Sequence, residues 1–439
     1  MSNERSFNAI LRFWLPLAAT WLMMAIEGPL LAAVIARLAD AKFNLAAHGV
    51  AVAFAILVEA PVIMMMSAST ALVEDAHTFR KLRAFAYALN ALVTVLMLVT
   101  LIPPVFTTVM QKLIGLPDEV AHLTYGALWL LLPWPGTIGY RRFFHGLLIR
   151  EGRTRLVAYG TIIRLSAMST TALVLFAVEI PGAYVGAAAL SVGVTLEAVA
   201  SRFMARSTVK RLLGRKGEAH EPSRALTYRR ITHFYYPLAL TSLIGLAAHP
   251  MLTFFMGQAR LPVESLAVFP VVNALSFVFR AVGLSFQETA VALLGRNNVY
   301  ARELGHFALI LAIAASGALT LIAFTPVADF WLVTVSGLPP DLAYYAKIPL
   351  RVLAPLPAFS VLLSYQRGLL VNGRATRPIT GATILEVSSI ALLFITFGFG
   401  LDLVGATAAV TAFVLGRIAS NAYLVPACLT AARFTRGQP

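Results

Sequence analysis

The sequence predicts an all-α membrane protein of twelve spanning helices, arranged as two lobes of six. Three observations carry this prediction: the composition, the length and spacing of the apolar segments, and a repeat between the two halves of the chain. Hydrophobic residues make up 59% of the 439 residues and charged residues only 13%, about half the charged share of an average soluble protein. Because so few charges cannot cover a soluble globule of this length, the chain is predicted to lie in a bilayer.

Twelve apolar segments are each long enough to cross the hydrocarbon core, which takes about 20 helical residues. They lie near 13–36, 46–73, 84–104, 121–147, 156–178, 183–204, 232–256, 263–293, 304–325, 345–370, 379–400 and 403–431. The N-terminus leads into the first segment without the cleavage pattern of a signal peptide. We therefore expect a multi-pass protein of the cell membrane, meaning the inner or plasma membrane.

Lysine and arginine are distributed unevenly between the loops on the two sides, with 24 on one side and five on the other. Because such residues are enriched in cytoplasmic loops, the N- and C-termini and the central loop are predicted to be cytoplasmic. The net charge of +15 belongs to these short loops, so no nucleic-acid partner is expected. The single cysteine, Cys428, excludes a disulfide framework and a multi-cysteine metal site. No metal and no cofactor is predicted.

The first and seventh spans carry the first pair of matching segments of an internal repeat. RFWLPLAAT at 12–20 matches HFYYPLALT at 233–241, and the same offset of 221 residues pairs Pro29 with Pro250. A proline inside a helix removes a backbone hydrogen bond and kinks the helix. Pro29 and Pro250 are therefore predicted to be hinges that act in gating.

The fourth and tenth spans carry the second pair of matching segments. LPWPGTIGYRRFFHGLLIREGRT at 132–154 matches APLPAFSVLLSYQRGLLVNGRAT at 354–376. Since an even number of spans separates the copies, both enter the membrane in the same sense, as in transporters that rock two parallel lobes. The predicted organisation is an N-terminal lobe over 1–208, a basic cytoplasmic linker over 209–230 and a C-terminal lobe over 231–439.

Two parallel lobes joined by a cytoplasmic loop, together with these motifs, resemble the multidrug/oligosaccharidyl-lipid/polysaccharide (MOP) flippase superfamily, which includes the MATE drug exporters. Within it, the chain is most similar to the progressive ankylosis family. The similar segments are RFWLPLAAT at 12–20, HGLL at 145–148, FYYPLAL at 234–240, ESLAVFPVV at 264–272, FQETAVALLGRNN at 286–298, IPLRVLAPLPA at 348–358 and GLDLVGATAAV at 400–410. The resemblance implies a secondary active transporter that exports a small organic or phosphorylated anion, such as pyrophosphate or citrate, by alternating access of its lobes.

Charged residues inside membrane spans are costly and usually face a water-filled cavity or a charged partner. The predicted spans hold six arginines and five glutamates in such positions. They are Arg141, Arg142, Arg164, Arg280, Arg351 and Arg417, and Glu27, Glu59, Glu197, Glu288 and Glu386. This near balance permits an anion site, but the preference for an anion depends on the family resemblance.

Arg280 is the first candidate for substrate binding, because a guanidinium can hold a phosphate or carboxylate through two parallel hydrogen bonds. Asn273, Arg280 and Glu288 fall on one face of the eighth span. We expect Asn273 to bind substrate beside Arg280, and Glu288 to act in coupling or gating. The alternative is a static ion pair of Arg280 with Glu27 or Glu59.

The fourth span presents a second group of basic residues. Arg141 and His145 share a face at i and i+4, with Arg142 adjacent. All three are predicted to line the substrate path and attract anions. The alternative is that Arg141 and Arg142 extend along their aliphatic stems to the lipid headgroups.

Glu27 and Glu59 are the candidates for coupling. A carboxylate in a poorly solvated site can take up and release a proton near neutral pH, which suits transport driven by protons or sodium. The alternative is that each carboxylate is the satisfied partner of an ion pair. Arg417 is predicted to pair with a neighbouring helix, and Glu197 and Glu386 are predicted to be structural.

The runner-up function is proton- or sodium-coupled export of cationic drugs, or flipping of a lipid-linked saccharide, with Glu27 and Glu59 as the binding groups. An enzyme is not expected, because the sequence has no D-x-x-x-D pair, no H-E-x-x-H, no G-x-S-x-G and no Walker motif. A non-transporting scaffold is the third possibility. The expected partners are a small-molecule substrate, membrane lipid and a coupling ion, and a two-lobed transporter can work as a monomer.

Overall fold

A computed structural model of the chain describes residues 7–214, 226–294, 300–372 and 377–433. Apart from one isolated bridge between Arg260 and Val404, the regular elements in these ranges are helices. The α-helices are α1 (Phe7–Ala25), α2 (Glu27–Ile35), α3 (Ala41–Glu59), α4 (Met65–Leu72), α5 (Ala76–Thr100), α6 (Pro103–Phe106), α7 (Asp118–Leu130), α8 (Trp134–Arg150), α9 (Thr154–Ala177), α10 (Gly182–Met204), α11 (Arg206–Gly214), α12 (Tyr228–Leu246), α13 (Ala248–Gln258), α14 (Pro262–Leu293), α15 (Ala301–Phe324), α16 (Val327–Asp329), α17 (Pro340–Leu353), α18 (Leu356–Asn372), α19 (Arg377–Phe394) and α20 (Gly405–Arg433).

Eleven helical segments of the described residues are long and apolar enough to cross a membrane. They correspond to eleven of the twelve predicted spans. The predicted span over 121–147 is divided at Pro133 into α7 and α8, of 13 and 17 residues. The chain is therefore a polytopic all-α membrane protein, as predicted, while the side on which its termini lie stays a prediction.

The predicted kinks at Pro29 and Pro250 are present as helix breaks. The first break, at Ile26, separates α1 from α2, and the second, at Ala247, separates α12 from α13. Each break lies three residues before its proline, where the ring has no N–H to donate to the carbonyl of the preceding turn. The two copies of the repeat therefore bend at the same place, and the role of these prolines as hinges stays a prediction.

The turns between the helices also repeat. Residues with a left-handed backbone occur in pairs that are 221 to 223 positions apart: Asp40 with Leu261, Gly115 with Gly337, and Glu179 with Asp402. A π-helical turn precedes each of the two glycines, at Thr107–Leu113 and Phe330–Val335. The parallel internal repeat is thus present in the backbone, including turns whose sequences differ. The predicted match to Gly373 and Arg374, like residues 215–225 of the predicted linker, lies outside the described residues.

The chain forms two compact units. Unit 1 consists of residues 1–46 and 251–439, and unit 2 of residues 47–250. Compactness therefore divides the chain differently from the repeat, because the first helix groups with the second half and α12 with the first half. The lobes 1–208 and 231–439, which follow the repeat, stay a prediction.

Side-chain packing explains why α1 belongs to unit 1. The indole Nε1 of Trp14 donates a hydrogen bond of 2.8 Å to Ser285 Oγ on α14, and its ring contacts that of Phe307 at 5.8 Å between centroids. These side chains share one buried core with Phe286. The face of α1 that carries Trp14 is thus buried within unit 1.

In unit 2, Tyr235 anchors α12. Its ring is buried in one core with Leu82 and Phe143, and its hydroxyl donates a hydrogen bond of 2.5 Å to the carbonyl of Pro61. That carbonyl lies in a 3₁₀ turn, Ala60–Val62, directly after α3. A tyrosine hydroxyl that is buried usually needs such a partner.

Candidate functional site

Glu197 on α10 is the centre of a buried ionic cluster in unit 2. Its side chain is fully buried and accepts a hydrogen bond from Arg141 Nη1 on α8. Arg164 Nε on α9 lies 3.6 Å from the same carboxylate oxygen. His145 Nε2 lies 2.8 Å from Ser201 Oγ and 3.9 Å from the second oxygen of Glu197. Three helices thus converge on one carboxylate.

This arrangement changes the interpretation of the fourth span. Arg141 and His145 share a face, as predicted, but that face is turned into the Glu197 cluster. Arg141 is only 7% exposed, so the alternative that it extends to the lipid headgroups is wrong. Because Glu197 neutralises it, Arg141 is a bound structural cation in this structure.

Glu59, at the end of α3, is the second buried carboxylate of unit 2. It accepts a hydrogen bond from the indole Nε1 of Trp134, which the break at Pro133 places at the start of α8. Arg142 is near enough to act on Glu59 electrostatically, but no ion pair holds Glu59 within the described part of the chain. Its direct partner is therefore a neutral donor, and the alternative of a satisfied ion pair is wrong for Glu59.

Arg280 lies at the centre of the corresponding region of unit 1. Its side chain is 9% exposed, and Nη1 donates a hydrogen bond of 3.3 Å to Asn273 Oδ1. The guanidinium lies over the rings of Phe277, at 5.8 Å, and Phe413, at 4.9 Å. Its Nε has no hydrogen-bond partner among the described residues, and no ion pair joins it to Glu27.

Asn273 and Arg280 thus share a face of the eighth span, as predicted, whereas Glu288 does not contact either of them. Glu288 is exposed and accepts a hydrogen bond of 3.4 Å from Trp21 Nε1. Glu27 is the first residue of α2 and is partly buried beside the break at Ile26. Both carboxylates belong to unit 1 and neither is part of the Arg280 contacts.

Arg417 on α20 holds the carboxylate nearest to this region. Its Nε and Nη2 lie 2.8 and 2.7 Å from Glu386 Oε1 on α19, and Nη1 donates a hydrogen bond of 3.3 Å to Ser360 Oγ. The guanidinium also lies 5.7 Å from the ring of Phe413, which Arg280 contacts too. The predicted pairing of Arg417 with a neighbouring helix is confirmed.

Arg367 on α18 is the residue that sequence reasoning missed, because its position near the end of a span placed it among the cytoplasmic charges. In the structure it is partly buried, donates a hydrogen bond of 3.4 Å to Thr383 Oγ1 and acts electrostatically on Arg417 and Glu386. The repeat carried a usable signal: the offset of 222 that pairs Pro133 with Pro355 also pairs His145 with Arg367.

The two regions differ in charge. In unit 1, Arg417 forms an ion pair with Glu386, and two further guanidiniums lie within electrostatic range of that pair; we call this group the Arg280 cluster. It consists of Arg280, Arg367, Arg417 and Glu386. In unit 2, three guanidiniums face two carboxylates, namely Arg141, Arg142 and Arg164 with Glu59 and Glu197. The Arg280 cluster therefore carries an excess of two positive charges, and it can hold a phosphate or a carboxylate. No group of side chains suited to a metal ion occurs among the described residues.

Comparison with known proteins identifies the fold. No family model and no curated protein matches the sequence. Among solved structures, an inward-facing multidrug resistance MATE family transporter of the MOP superfamily is similar, with 14% identity, a TM-score of 0.71 and 96% of each chain covered. The lipid II flippase MurJ, in an inward closed conformation, has 13% identity and a TM-score of 0.73, over 96% of this chain and 91% of that one.

A third neighbour is a MOP superfamily transporter from Pyrococcus furiosus, described as having a binding pocket of reverse polarity that suggests a different function. It has 15% identity and a TM-score of 0.65, over 98% of this chain and 96% of that one. At these identities the likeness establishes the fold alone. It is the fold that the resemblance stated from the sequence led us to expect.

Proposed function

We propose that the protein is a secondary active transporter that exports a small organic or phosphorylated anion by alternating access of its repeated lobes. The observation that carries the proposal is the Arg280 cluster, in which one carboxylate, Glu386, holds Arg417 while Arg280 and Arg367 form no ion pair within the described part of the chain. The fold supports transport, because the similar solved structures are transporters and a flippase. The resemblance to the progressive ankylosis family supports an anion such as pyrophosphate or citrate.

Arg280 is the residue that we assign to the substrate. Its Nη1 is oriented by Asn273, while its Nε has no protein partner among the described residues, so donors remain for a ligand. A buried guanidinium without a carboxylate is costly, and a bound anion removes that cost. Arg367 supplies the second unneutralised charge, since Arg417 is the one that Glu386 holds.

The basic residues of the fourth span receive different roles. Arg141 and His145 hold Glu197 and Ser201, and we assign them to positioning α8 on α10 rather than to the substrate. Arg142 is partly buried, and its Nε has no hydrogen-bond partner among the described residues. Of the three, Arg142 is the one that we retain as a substrate contact.

Glu59 is the residue that we assign to coupling. Because its partner is the neutral indole of Trp134, the carboxyl can bind and release a proton without breaking an ion pair. The repeat supports a paired role, since the offset of 221 that relates Pro29 to Pro250 also relates Glu59 to Arg280. Glu27 and Glu288, which are less buried, are the secondary candidates.

The second candidate function is coupled export of cationic compounds or flipping of a lipid-linked saccharide. It is favoured by the neighbours, which include a multidrug transporter and the lipid II flippase, and by a buried Glu59 that holds no cation of its own. In that case Glu59 would bind the substrate and Arg280 would be replaceable. We place the protein, under either function, in the inner or plasma membrane as a monomer without a cofactor or enzymatic activity.

The test is flux in proteoliposomes loaded with labelled pyrophosphate or citrate under an imposed pH gradient. Wild type is compared with Arg280→Gln, Arg367→Gln and Glu59→Gln. Arg351→Gln is the matched control, because Arg351 is also an arginine of a predicted span in unit 1 but is exposed in the structure. Each variant is first checked for its melting temperature in detergent.

We expect Arg280→Gln to abolish anion flux, Arg367→Gln to weaken apparent affinity roughly tenfold, the equivalent of one charge-assisted hydrogen bond, and Arg351→Gln to transport normally. Glu59→Gln should retain anion binding and lose the acceleration by the pH gradient. If no anion moves while a cationic dye does, and Glu59→Gln stops the dye, the anion proposal is wrong and the second candidate holds.

A further inference from the structure

An open groove lies between α5 and α8 in unit 2, away from the Glu197 cluster. Its volume is about 530 Å³. The side chains that line it are Tyr87, Asn90, Ala91, Thr94, Val95, Gly136, Thr137 and Tyr140. From Tyr87 to Val95 the groove runs about 12 Å along α5, at 1.5 Å per residue. Its wall is therefore long and largely apolar.

The groove belongs to a lipid-facing surface. Beyond it, α5 exposes large apolar side chains: Leu92 is 62% exposed, Leu96 48% and Val99 42%. In a spanning helix such a face meets acyl chains rather than water. The base of the groove is closed because α5 and α8 approach closely at Gly136, where an added Cβ would lie 2.7 Å from Thr94 Oγ1.

One end of the groove is aromatic and basic. The rings of Tyr87 and Tyr140 stack at 5.7 Å with an interplanar angle of 19°, and Tyr140 contacts Phe144 at 4.9 Å. The guanidinium of Arg202 lies 5.3 Å over the Phe144 ring. Arg83 lies one helical turn before Tyr87 on the same face of α5, and its guanidinium lies 5.3 Å over the ring of Phe79.

Within the described residues, neither guanidinium is held by a carboxylate. Arg83 and Arg202 form no ion pair within the described part of the chain, although both are partly buried. Arg83 lies about two turns after the start of α5 (Ala76–Thr100) and directly precedes the predicted start of the third span at residue 84, so we expect it near the depth of lipid headgroups. Two unpaired cations at that depth, above an apolar groove, match a ligand with an anionic head and a hydrocarbon tail.

We propose that this groove binds an anionic glycerophospholipid, with the phosphate between Arg83 and Arg202 and one acyl chain along Tyr87, Ala91 and Val95. Basic pockets between spanning helices on the cytoplasmic side recognise such headgroups, and tyrosine rings suit the interface between headgroup and hydrocarbon. The site is separate from the Arg280 and Glu197 clusters, so the proposal stands whichever solute is transported.

The experiment is a lipid titration of the purified full-length protein in detergent, followed by native mass spectrometry. The probes are phosphatidylglycerol and phosphatidylcholine with identical acyl chains. The variants are the double substitution Arg83→Gln/Arg202→Gln, the charge-preserving Arg83→Lys/Arg202→Lys, and Ala91→Phe, which fills the groove. The controls are Arg206→Gln, an exposed arginine of α11, and Ala88→Phe, an exposed position of α5 outside the groove.

We expect wild type to bind phosphatidylglycerol at least tenfold more tightly than phosphatidylcholine. Each arginine near an anionic lipid contributes roughly fivefold, so the double glutamine variant should lose roughly 25-fold for phosphatidylglycerol and little for phosphatidylcholine. The double lysine variant should retain most of the binding. Ala91→Phe should weaken binding of both lipids, and neither control should change it.

Three results would overturn the proposal. Equal binding of the two lipids by wild type would mean ordinary annular contact. If Arg206→Gln lost as much phosphatidylglycerol binding as the double glutamine variant, the lipid would be attracted by diffuse surface charge and not by a defined site. Complete displacement of phosphatidylglycerol by millimolar inorganic phosphate, with no effect of Ala91→Phe, would mean an anion site without a lipid groove.

Discussion

Units 1 and 2 place opposite charges at equivalent positions of one repeated backbone. Glu59 of unit 2 and Arg280 of unit 1 are related by the offset of 221, and Arg164 and Glu386 by an offset of 222. Each pair lies inside spanning helices, where a charge is costly. The reversal at two positions shows that the repeat preserves the location of the charged sites and not their sign.

Similar helix crossings accompany the second of these pairs, Arg164 and Glu386. A Cβ added to Gly193 would lie 3.1 Å from the carbonyl of Arg164, and one added to Gly416 would lie 3.1 Å from the carbonyl of Glu386. The two glycines sit where α10 crosses α9 and where α20 crosses α19. Both units thus build the same close crossing beside a buried ion pair.

What differs is how completely each unit neutralises its charges. In unit 2 the Glu197 carboxylate serves two arginines, whereas in unit 1 the Glu386 carboxylate serves Arg417 alone. The repeat equivalent of Arg141, at an offset of 222, is the buried Leu363, so unit 1 has no counterpart of the Arg141–Glu197 pair. Unit 2 therefore neutralises a larger share of its buried guanidiniums than unit 1 does, and under the anion proposal the excess charge of unit 1 is the part that binds the substrate.

The difference in neutralisation between the two units is tested most directly by replacing Glu197 and Glu386. Glu197→Gln removes the buried carboxylate that Arg141 and Arg164 share, and removing one member of a buried pair costs about 3–5 kcal/mol. Glu386→Gln strands only Arg417, which keeps Ser360, so its cost should be about half as large. Melting in detergent, followed by tryptophan fluorescence, measures both. An equal or larger loss in Glu386→Gln would show that the two pairs are equivalent.

Replacing one arginine in each unit tests the same difference, because the two replacements should change the stability in opposite directions. Arg280→Leu removes a buried cation that has no carboxylate partner, so unfolding free energy should be unchanged or rise by about 1–4 kcal/mol, while anion flux is lost. Arg141→Leu strands Glu197 only partly, since Arg164 remains, and should lower stability. The measurements are melting temperature and proteoliposome flux. A destabilised Arg280→Leu that still transports would make Arg280 the structural residue.

The glycine crossings should respond in the same direction, because both place an added methyl group 3.1 Å from a backbone carbonyl. Gly416→Ala also brings the methyl group within 2.7 Å of Ile390 Cγ1, a side-chain atom that can shift, and overpacking of this kind costs about 1–3 kcal/mol. Gly245→Ala in unit 2 and Gly317→Ala in unit 1 are the controls, since an added Cβ meets nothing within 4 Å at either position. Both controls should be neutral or stabilising. If the stability changes of Gly193→Ala and Gly416→Ala differ from each other by more than those of the two controls do, the two crossings are not equivalent.

Features that depend on one segment at a time were predictable. The lengths of apolar runs located the spans, and the missing N–H of Pro29 and Pro250 located the helix breaks. Helical periodicity also placed Asn273 beside Arg280, since residues seven apart lie on one face. These inferences needed no knowledge of which helices pack together.

Features that depend on packing between segments were not predictable in the same way. The pairing of Arg141 with Glu197 requires α8 and α10 to meet, and nothing in either segment states this. The grouping of α1 with unit 1 depends on the fit of Trp14 against Ser285. Arg367 could be found only through the repeat. Its position near the end of a span placed it among the cytoplasmic charges, whereas its alignment with His145 places it inside the span.

The smallest expected effect concerns the paired turns. Leu261 has a left-handed backbone, with φ 53° and ψ 63°, and its repeat partner Asp40 has φ 51°. A leucine in this conformation costs roughly 1–2 kcal/mol, whereas Asp and Asn tolerate it. Leu261→Asn should therefore raise the free energy of unfolding by up to about 1 kcal/mol, and Asp40→Asn should leave it unchanged. Equal responses of the two variants in detergent melting would mean that the strain at Leu261 is already relieved by its surroundings, and that the two turns are equivalent in energy as well as in shape.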